Sequence, residues 1–228
     1  MRFRAFATDY DGTLATSGVV EPRVLEGLER LRSAGRKLIL VTGRELDELK
    51  LAFPGWRVFD RIVAENGALI FEPRTGSIRE LGPPPPASFV DRLRLRQVEP
   101  ISVGRVIVAT KEPHAPVVRA TITEMSLGYQ VHLNKRAVMV LPRGIDKAAG
   151  LRSALTDLNV STAETVAIGD AENDFSFLNV CGFSVAVANA LSELKQACHW
   201  TTESPRGAGV SELIERLEDD ELDSLVIG

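Results

Sequence analysis

The stretch Phe3-Arg4-Ala5-Phe6-Ala7-Thr8-Asp9-Tyr10-Asp11-Gly12-Thr13-Leu14 decides how the rest of the chain reads. Its first half is a short apolar run suited to a buried strand. Its second half carries two carboxylates one residue apart, then glycine and threonine. Alternate strand residues share a side, but a turn begins here, and Gly12 allows backbone geometries that other residues resist. Both acids and several backbone N–H groups are thereby aimed at one point, which suits a phosphate and a divalent cation. An aspartate can attack phosphorus and form an aspartyl-phosphate. A second acid can protonate the leaving oxygen and later deprotonate water, a role worth roughly 10²–10⁴ in rate. Asp, Gly and Thr are also ordinary turn residues, so the hexapeptide alone leaves a plain turn open. It does not fit an EF-hand loop, because counting from Asp9 puts Leu14 where glycine is needed and Val20 where a bidentate glutamate is needed.

Working outward, short β-rich runs alternate with helical ones, the pattern of an α/β protein with a parallel sheet. Phe3–Thr8 reads as the first strand, a helix opens near Pro22 and stops at Gly35, and Lys37–Val41 is the second strand, ending at Thr42-Gly43-Arg44. Glu45–Phe53 reads as a helix, with strands at Arg61–Ala64 and Ala68–Phe71 around Glu65-Asn66-Gly67. From Pro73 to Pro86 the prolines and glycines predict a linker without regular structure. Beyond it come a helix at Ser88–Gln97, a strand at Ser102–Ala109, a helix at Ala115–Leu127 and a hairpin of Tyr129–Leu133 and Ala137–Leu141 turning at Asn134-Lys135-Arg136. Residues 73–143 are therefore expected to form an inserted α+β domain, with 1–72 and 144–228 building the main one. The third part restores the alternation: helix Lys147–Leu158, strand Thr165–Ile168, the loop Gly169-Asp170-Ala171-Glu172-Asn173-Asp174, strand Phe183–Val187, and helices at Leu191–Ala197 and Gly209–Leu217. An acidic, frayed tail is expected after Glu218.

The 228 residues are 44% apolar, enough for a sizeable core. A formal net charge of −4 offers no general attraction to nucleic acid. The two cysteines, Cys181 and Cys198, form no Cys-x-x-Cys and suggest neither a disulfide framework nor a zinc site. There is no charged-then-apolar leader, and no apolar run approaches the ~18 residues that cross a bilayer. The expectation is a cytoplasmic enzyme with no membrane or nucleic-acid partner, a monomer or homodimer.

In open α/β sheets the ligand sits at the carboxyl ends of the strands, and three of the expected strands end in suggestive residues. Asp9 and Asp11 follow one. Thr42 and Gly43 follow another and can offer a hydroxyl and an N–H to phosphate oxygens, although Thr42 also reads as a plain N-cap. Asp170 and Asp174 follow a third and with Asp9 could complete an oxygen site for Mg²⁺, although their loop also reads as a capped turn. Lys147 opens a helix. If solvated it has no role; if it reaches the site, its ammonium would screen the repulsion between a phosphate and the attacking carboxylate.

Taken in order, Asp-Tyr-Asp-Gly-Thr-Leu, Val-Thr-Gly-Arg, Asp-Lys and Gly-Asp-Ala-Glu-Asn-Asp resemble the four motifs of the haloacid dehalogenase superfamily of phosphohydrolases. The inserted cap between the second and third motifs, the Glu-Asn-Gly-Ala segment and the form of motif four are similar to its type IIB subgroup. That subgroup includes Cof-like sugar phosphatases, sucrose-phosphate phosphatase, phosphomannomutase and archaeal phosphoglycolate phosphatase; the short chain and compact cap look most like the last. The resemblance implies a Rossmann-like core and a Mg²⁺-dependent phosphatase acting on a small phosphorylated metabolite. It implies Asp9 as nucleophile and metal ligand, and Asp11 as general acid/base that lends the metal its backbone carbonyl. Thr42 and Lys147 would hold the phosphoryl group, with Gly43, Arg44 and Asn173 beside it, and Asp170 and Asp174 would ligate Mg²⁺. A phosphomutase using the same aspartate is the rival enzyme, and a phosphoaspartate signalling module the rival from another class. Lys135 and Arg136, at the cap's hairpin turn, are candidates to meet a second anionic group on the substrate.

Overall fold

The computed structural model describes residues 2–219 and Leu222. The expected acidic tail therefore falls, apart from Asp219 and Leu222, outside the described residues. The first elements alternate: β1 (Ala5–Thr8), α1 (Pro22–Ser33), β2 (Lys37–Val41), α2 (Leu46–Ala52), β3 (Arg61–Ala64), β4 (Leu69–Phe71) and β5 (Ile78–Glu80). α1 starts on Pro22, whose fixed φ suits the first helical position, and buries Val24, Leu28 and Leu31. A second group follows: α3 (Ala87–Leu95), β6 (Ser102–Val103), β7 (Val108–Lys111), α4 (Ala115–Glu124), β8 (Tyr129–Asn134) and β9 (Ala137–Pro142). The chain then returns through α5 (Lys147–Leu158), β10 (Thr165–Gly169), α6 (Phe175–Leu178), β11 (Phe183–Ala186), α7 (Ser192–Ala197), β12 (Trp200–Thr201) and α8 (Arg206–Glu218).

The larger sheet runs β12-β11-β10-β1-β2-β3-β4-β5, parallel from β12 to β3 and antiparallel over β4 and β5. Strands covered on both faces need side chains that are apolar throughout, and Phe6, Leu38, Ile39, Leu40, Val166 and Ile168 are all fully buried. β1 lies between β10 and β2, so the chain winds away from it in both directions. The carboxyl ends of β1 and β10 therefore form the crevice in which such sheets bind ligands.

The second sheet, β6-β7-β9-β8, is antiparallel. Because β9 alternates faces, Val138 and Val140 pack with Phe89, Leu93 and Val118 of the helices, while Met139 and Leu141 pack with Ala68 and Ile145. One face of this sheet thus carries its own helices and the other is turned to the larger sheet, as a cap.

Two local expectations fail. Within the stretch expected to lack regular structure, Ile78–Glu80 pairs with β4 as the last strand of the large sheet. The single apolar residue in Ile-Arg-Glu is enough for an edge strand, since only Ile78 packs inward. We propose accordingly that the inserted unit begins after Glu80 and returns near residue 143. The expected strand Ser102–Ala109 is a tight hairpin instead, with the Gly104 N–H donating to the Ile107 carbonyl at 2.9 Å. What holds this turn is a buried carboxylate from elsewhere in the chain, described below.

Candidate active site

Asp9 is the first residue past β1 and still donates its backbone N–H to Ile168 of β10. The turn that follows lies hard against Asp170: Gly12 has φ +96°, and a Cβ on it would fall 2.5 Å from Asp170 Oδ2. Only glycine permits that approach. Thr13 Oγ1 donates to Asp170 Oδ1 at 3.3 Å. Past β10, Asp174 folds its own loop, one oxygen accepting the backbone N–H groups of Asp170 and Ala171 at 2.8 and 2.9 Å.

Lys147 enters from α5. Asp146 caps that helix by accepting the Ala149 N–H at 2.8 Å. Gly67, at φ +106°, presses on the helix start so closely that a Cβ would sit 1.9 Å from the Asp146 carbonyl oxygen. The Lys147 side chain is 1% exposed and its Nζ donates to Asp9 Oδ1 at 2.5 Å and Asp174 Oδ1 at 2.6 Å. Carboxylate oxygens of Asp9, Asp170 and Asp174 all lie within 4.8 Å of one another. Burial, followed by the charge of Asp174, pushes Asp9 up to about 7 against the pull of Lys147. Burial and Asp174 likewise raise Asp170. Burial disfavours the Lys147 ammonium, but Asp174 and Asp9 outweigh it and hold the group above its ordinary value.

Asp11 has a different partner. Arg44 grips its carboxylate through Nε at 2.6 Å and Nη2 at 2.7 Å, reaches Glu48 at 3.2 Å and lies over the Tyr10 ring. Thr42 is buried, its backbone N–H is committed to Val63, and its hydroxyl accepts the Arg44 N–H at 3.1 Å. It is not the cap of α2, whose N-cap is Glu45. Asn173 donates to Asn66 Oδ1 at 2.9 Å. Gly43, Arg44 and Asn173, together with Asp9, Asp11 and Asp170, line a cavity of about 210 Å³ whose far wall is Asn134, Ala137 and Met139 of the cap.

Asp9, Asp11, Gly43, Arg44, Asp170 and Asn173 thus line one crevice, with Lys147 and Asp174 buried beside Asp9; Lys135, expected to face the substrate, also reaches it, and the structure adds Glu65, which was not read as part of it. Lys135 crosses from the cap: its Nζ is 3.0 Å from Asp170 Oδ2 and 3.2 Å from the Asp11 carbonyl oxygen, and its backbone N–H donates to Glu172 Oε2 at 3.3 Å. The ammonium is held above its ordinary value, burial being outweighed by Asp170. Arg136, its neighbour, is exposed. The addition is Glu65, 1% exposed, whose carboxylate accepts the backbone N–H groups of Arg105, Val106 and Ile107 at 2.7–2.9 Å. It is the carboxylate that holds the β6–β7 turn and ties the cap to the core. A glutamate in a Glu-Asn-Gly turn carries no sequence mark of a partner forty residues away.

A doubly wound sheet with a buried acidic centre at its switch point, roofed by an inserted α+β unit, is a capped Rossmann-like fold. The profile of the haloacid dehalogenase-like hydrolases matches residues 6–80 and 101–214, and the chain belongs to that family. It is 30% identical over 227 residues to phosphoglycolate phosphatase 2 of Saccharolobus solfataricus, covering 92% of this chain and 91% of that one. A haloacid dehalogenase-like hydrolase of Bacteroides thetaiotaomicron superposes with a TM-score of 0.79 at 21% identity over 94% of this chain and 99% of that one. A sugar phosphatase of subclass IIB does so at 0.75 and 17% identity, over 94% and 99%. The fold is that of subclass IIB. No helix among the described residues is long and apolar enough to cross a membrane.

Proposed function

We propose that the protein is a Mg²⁺-dependent phosphomonoester hydrolase acting through a phosphoaspartate on Asp9. Its substrate is a small phosphorylated metabolite, phosphoglycolate or a sugar phosphate. The observation that carries this reading is the convergence on Asp9: a carboxylate at the end of the central strand, an ammonium 2.5 Å from one of its oxygens, and two further carboxylates within 4.8 Å. The names of the relatives that span the chain agree with it.

The donor set fits Mg²⁺. Asp9, Asp170, Asp174 and the Asp11 carbonyl offer oxygen alone, the donor this ion prefers. The carboxylates of Asp9, Asp11, Asp170 and Asp174 also outnumber the three cationic groups paired with them, Lys147, Lys135 and Arg44. These oxygens would hold Mg²⁺, Asp174 directly or through water, and the ion would offset charge on the phosphoryl oxygens.

In the chemistry itself, Asp9 Oδ2, the oxygen not held by Lys147, attacks phosphorus in line while Lys147 screens the approach of two negative groups. The Asp11 carboxyl protonates the departing alkoxide, then takes a proton from the water that cleaves the aspartyl-phosphate. Arg44 orients Asp11 and must yield one of its two contacts when Asp11 turns to the leaving oxygen. Gly43 and Asn173 line the phosphoryl side, and the buried Thr42 supports it by accepting the Arg44 N–H on its hydroxyl. The cap excludes bulk water. A cavity of about 210 Å³ is below the ~300–1,000 Å³ that houses drug-sized ligands, which favours a small substrate. Lys135 and Arg136 on the cap favour one with a second anionic group.

The test is phosphate release from phosphoglycolate, sugar phosphates and a neutral ester, in Mg²⁺ and in excess chelator. Metal-dependent release is expected, with ¹⁸O from labelled water entering the phosphate, as hydrolysis and not transfer to a sugar requires. Neutralising Lys135 and Arg136 together should raise KM for the acidic esters only. Absence of release from every ester in Mg²⁺ would overturn the reading.

A further inference from the structure

Two ammonium groups meet the acidic centre, and they meet different parts of it. Lys147 bridges Asp9 and Asp174 from within the core. Lys135 comes from the tip of the β8–β9 hairpin, in the left-handed region at φ +54°, and its Nζ lies on Asp170 Oδ2 and the Asp11 carbonyl oxygen. Those two oxygens are among the donors that the proposed function assigns to Mg²⁺. An ammonium is a compact cation that only donates, so it satisfies the same oxygens a divalent cation would, and like charges cannot share them.

We propose that Lys135 is a tethered cation that competes with Mg²⁺ for Asp170 and the Asp11 carbonyl, so that metal loading and the cap's grip on the core oppose each other. This rests on the metal reading above. With no metal bound, Lys135 neutralises the buried Asp170 carboxylate and, through its backbone N–H to Glu172, pins the cap tip to the 170–174 loop. Mg²⁺ held by these oxygens would leave no place for the ammonium, so the Lys135 side chain would return to water, free the cap tip for substrate entry and present its charge to the cavity that Asn134, its neighbour, already lines. The exchange is feasible for Lys135 because its side chain is 53% exposed and can return to water, whereas that of Lys147 is 1% exposed and cannot.

Calorimetric titration of the whole chain with Mg²⁺, without substrate, tests this. Lys135→Met should tighten Mg²⁺ binding roughly five-fold or more, the size of an ordinary coupling between sites, while Lys111→Met, which removes an exposed cap charge elsewhere, should stay within about two-fold because exposed charges are screened. Equal or weaker binding by Lys135→Met overturns the inference and leaves the metal reading standing; no binding by either protein overturns both. The unmutated protein gives a second readout. Acylation of the Lys135 amine, followed by mass spectrometry, should rise when Mg²⁺ is added, and unchanged or lower reactivity contradicts the exchange.

Discussion

Lys147 and Lys135 do the same electrostatic work from opposite sides of one acidic cluster, yet the chain treats them in contrary ways. Lys147 stands at the first turn of a helix, capped by Asp146 and packed under Gly67, with its ammonium sealed between Asp9 and Asp174 and 5.5 Å from the centre of the Phe177 ring. Lys135 stands on a hairpin tip with half its side chain in water. A buried cation between two carboxylates is fixed, since withdrawing it strands charge in a low dielectric. A cation that keeps half its side chain in water, as Lys135 does against the buried Asp170, can return to solvent and be exchanged. The core therefore supplies the permanent counter-charge and the cap a removable one.

The largest break in this symmetry comes from Lys147→Met, which leaves Asp9 and Asp174 buried without their cation. Urea unfolding should show a loss of about 3–5 kcal/mol, and phosphate release should fall by about 10²–10³ or more. Next comes the tether between the two regions. Glu65→Ala leaves three cap N–H groups without an acceptor and should cost about 1–3 kcal/mol, with faster amide exchange at Val106 and Ile107. Protection unchanged at those amides would mean that Glu65 does not hold the cap. Lys135→Met should move stability by less than about 1 kcal/mol; a loss as large as that of Lys147→Met would erase the contrast between the two lysines.

The smallest effect lies far from either lysine. Glu164 is held down at about 2 by the Ser161 hydroxyl, then by the Ser161 N–H and Arg4, as in a capping box. A carboxyl lowered in the folded state contributes stability that is present above its ordinary value of 4.5 and lost as pH falls towards about 2. Glu164→Gln should flatten the acid limb of the stability curve in that window, with little change at pH 7.

The strand-end residues were legible because their signals are local. Asp9 and Asp11 sit where an apolar run stops, Lys147 where a helix starts, and Asp170 and Asp174 in a loop whose hydrogen bonds close within four residues. The parallel core was legible for the same reason, as buried runs such as Leu38-Ile39-Leu40-Val41 separated by amphipathic helices. What escaped was set at long range. β5 has one inward residue among prolines and glycines, and becomes a strand only because β4 offers it an edge. Glu65 finds its three donors on the other side of the cap linker. The pairing of Asp11 with Arg44 joins two strand ends that only the sheet brings together. Lys135 was read as facing a substrate, and its place against Asp170 depends on how far the cap closes.

The central claim is that Asp9 forms the bond to phosphorus. It is tested most directly by phosphate release from phosphoglycolate in saturating Mg²⁺, comparing the unmutated protein with Asp9→Asn. Metal-dependent turnover is expected of the first and a loss of at least about 10³ in the second, since an amide cannot take the place of the attacking carboxylate. Equal rates in the two proteins would contradict it.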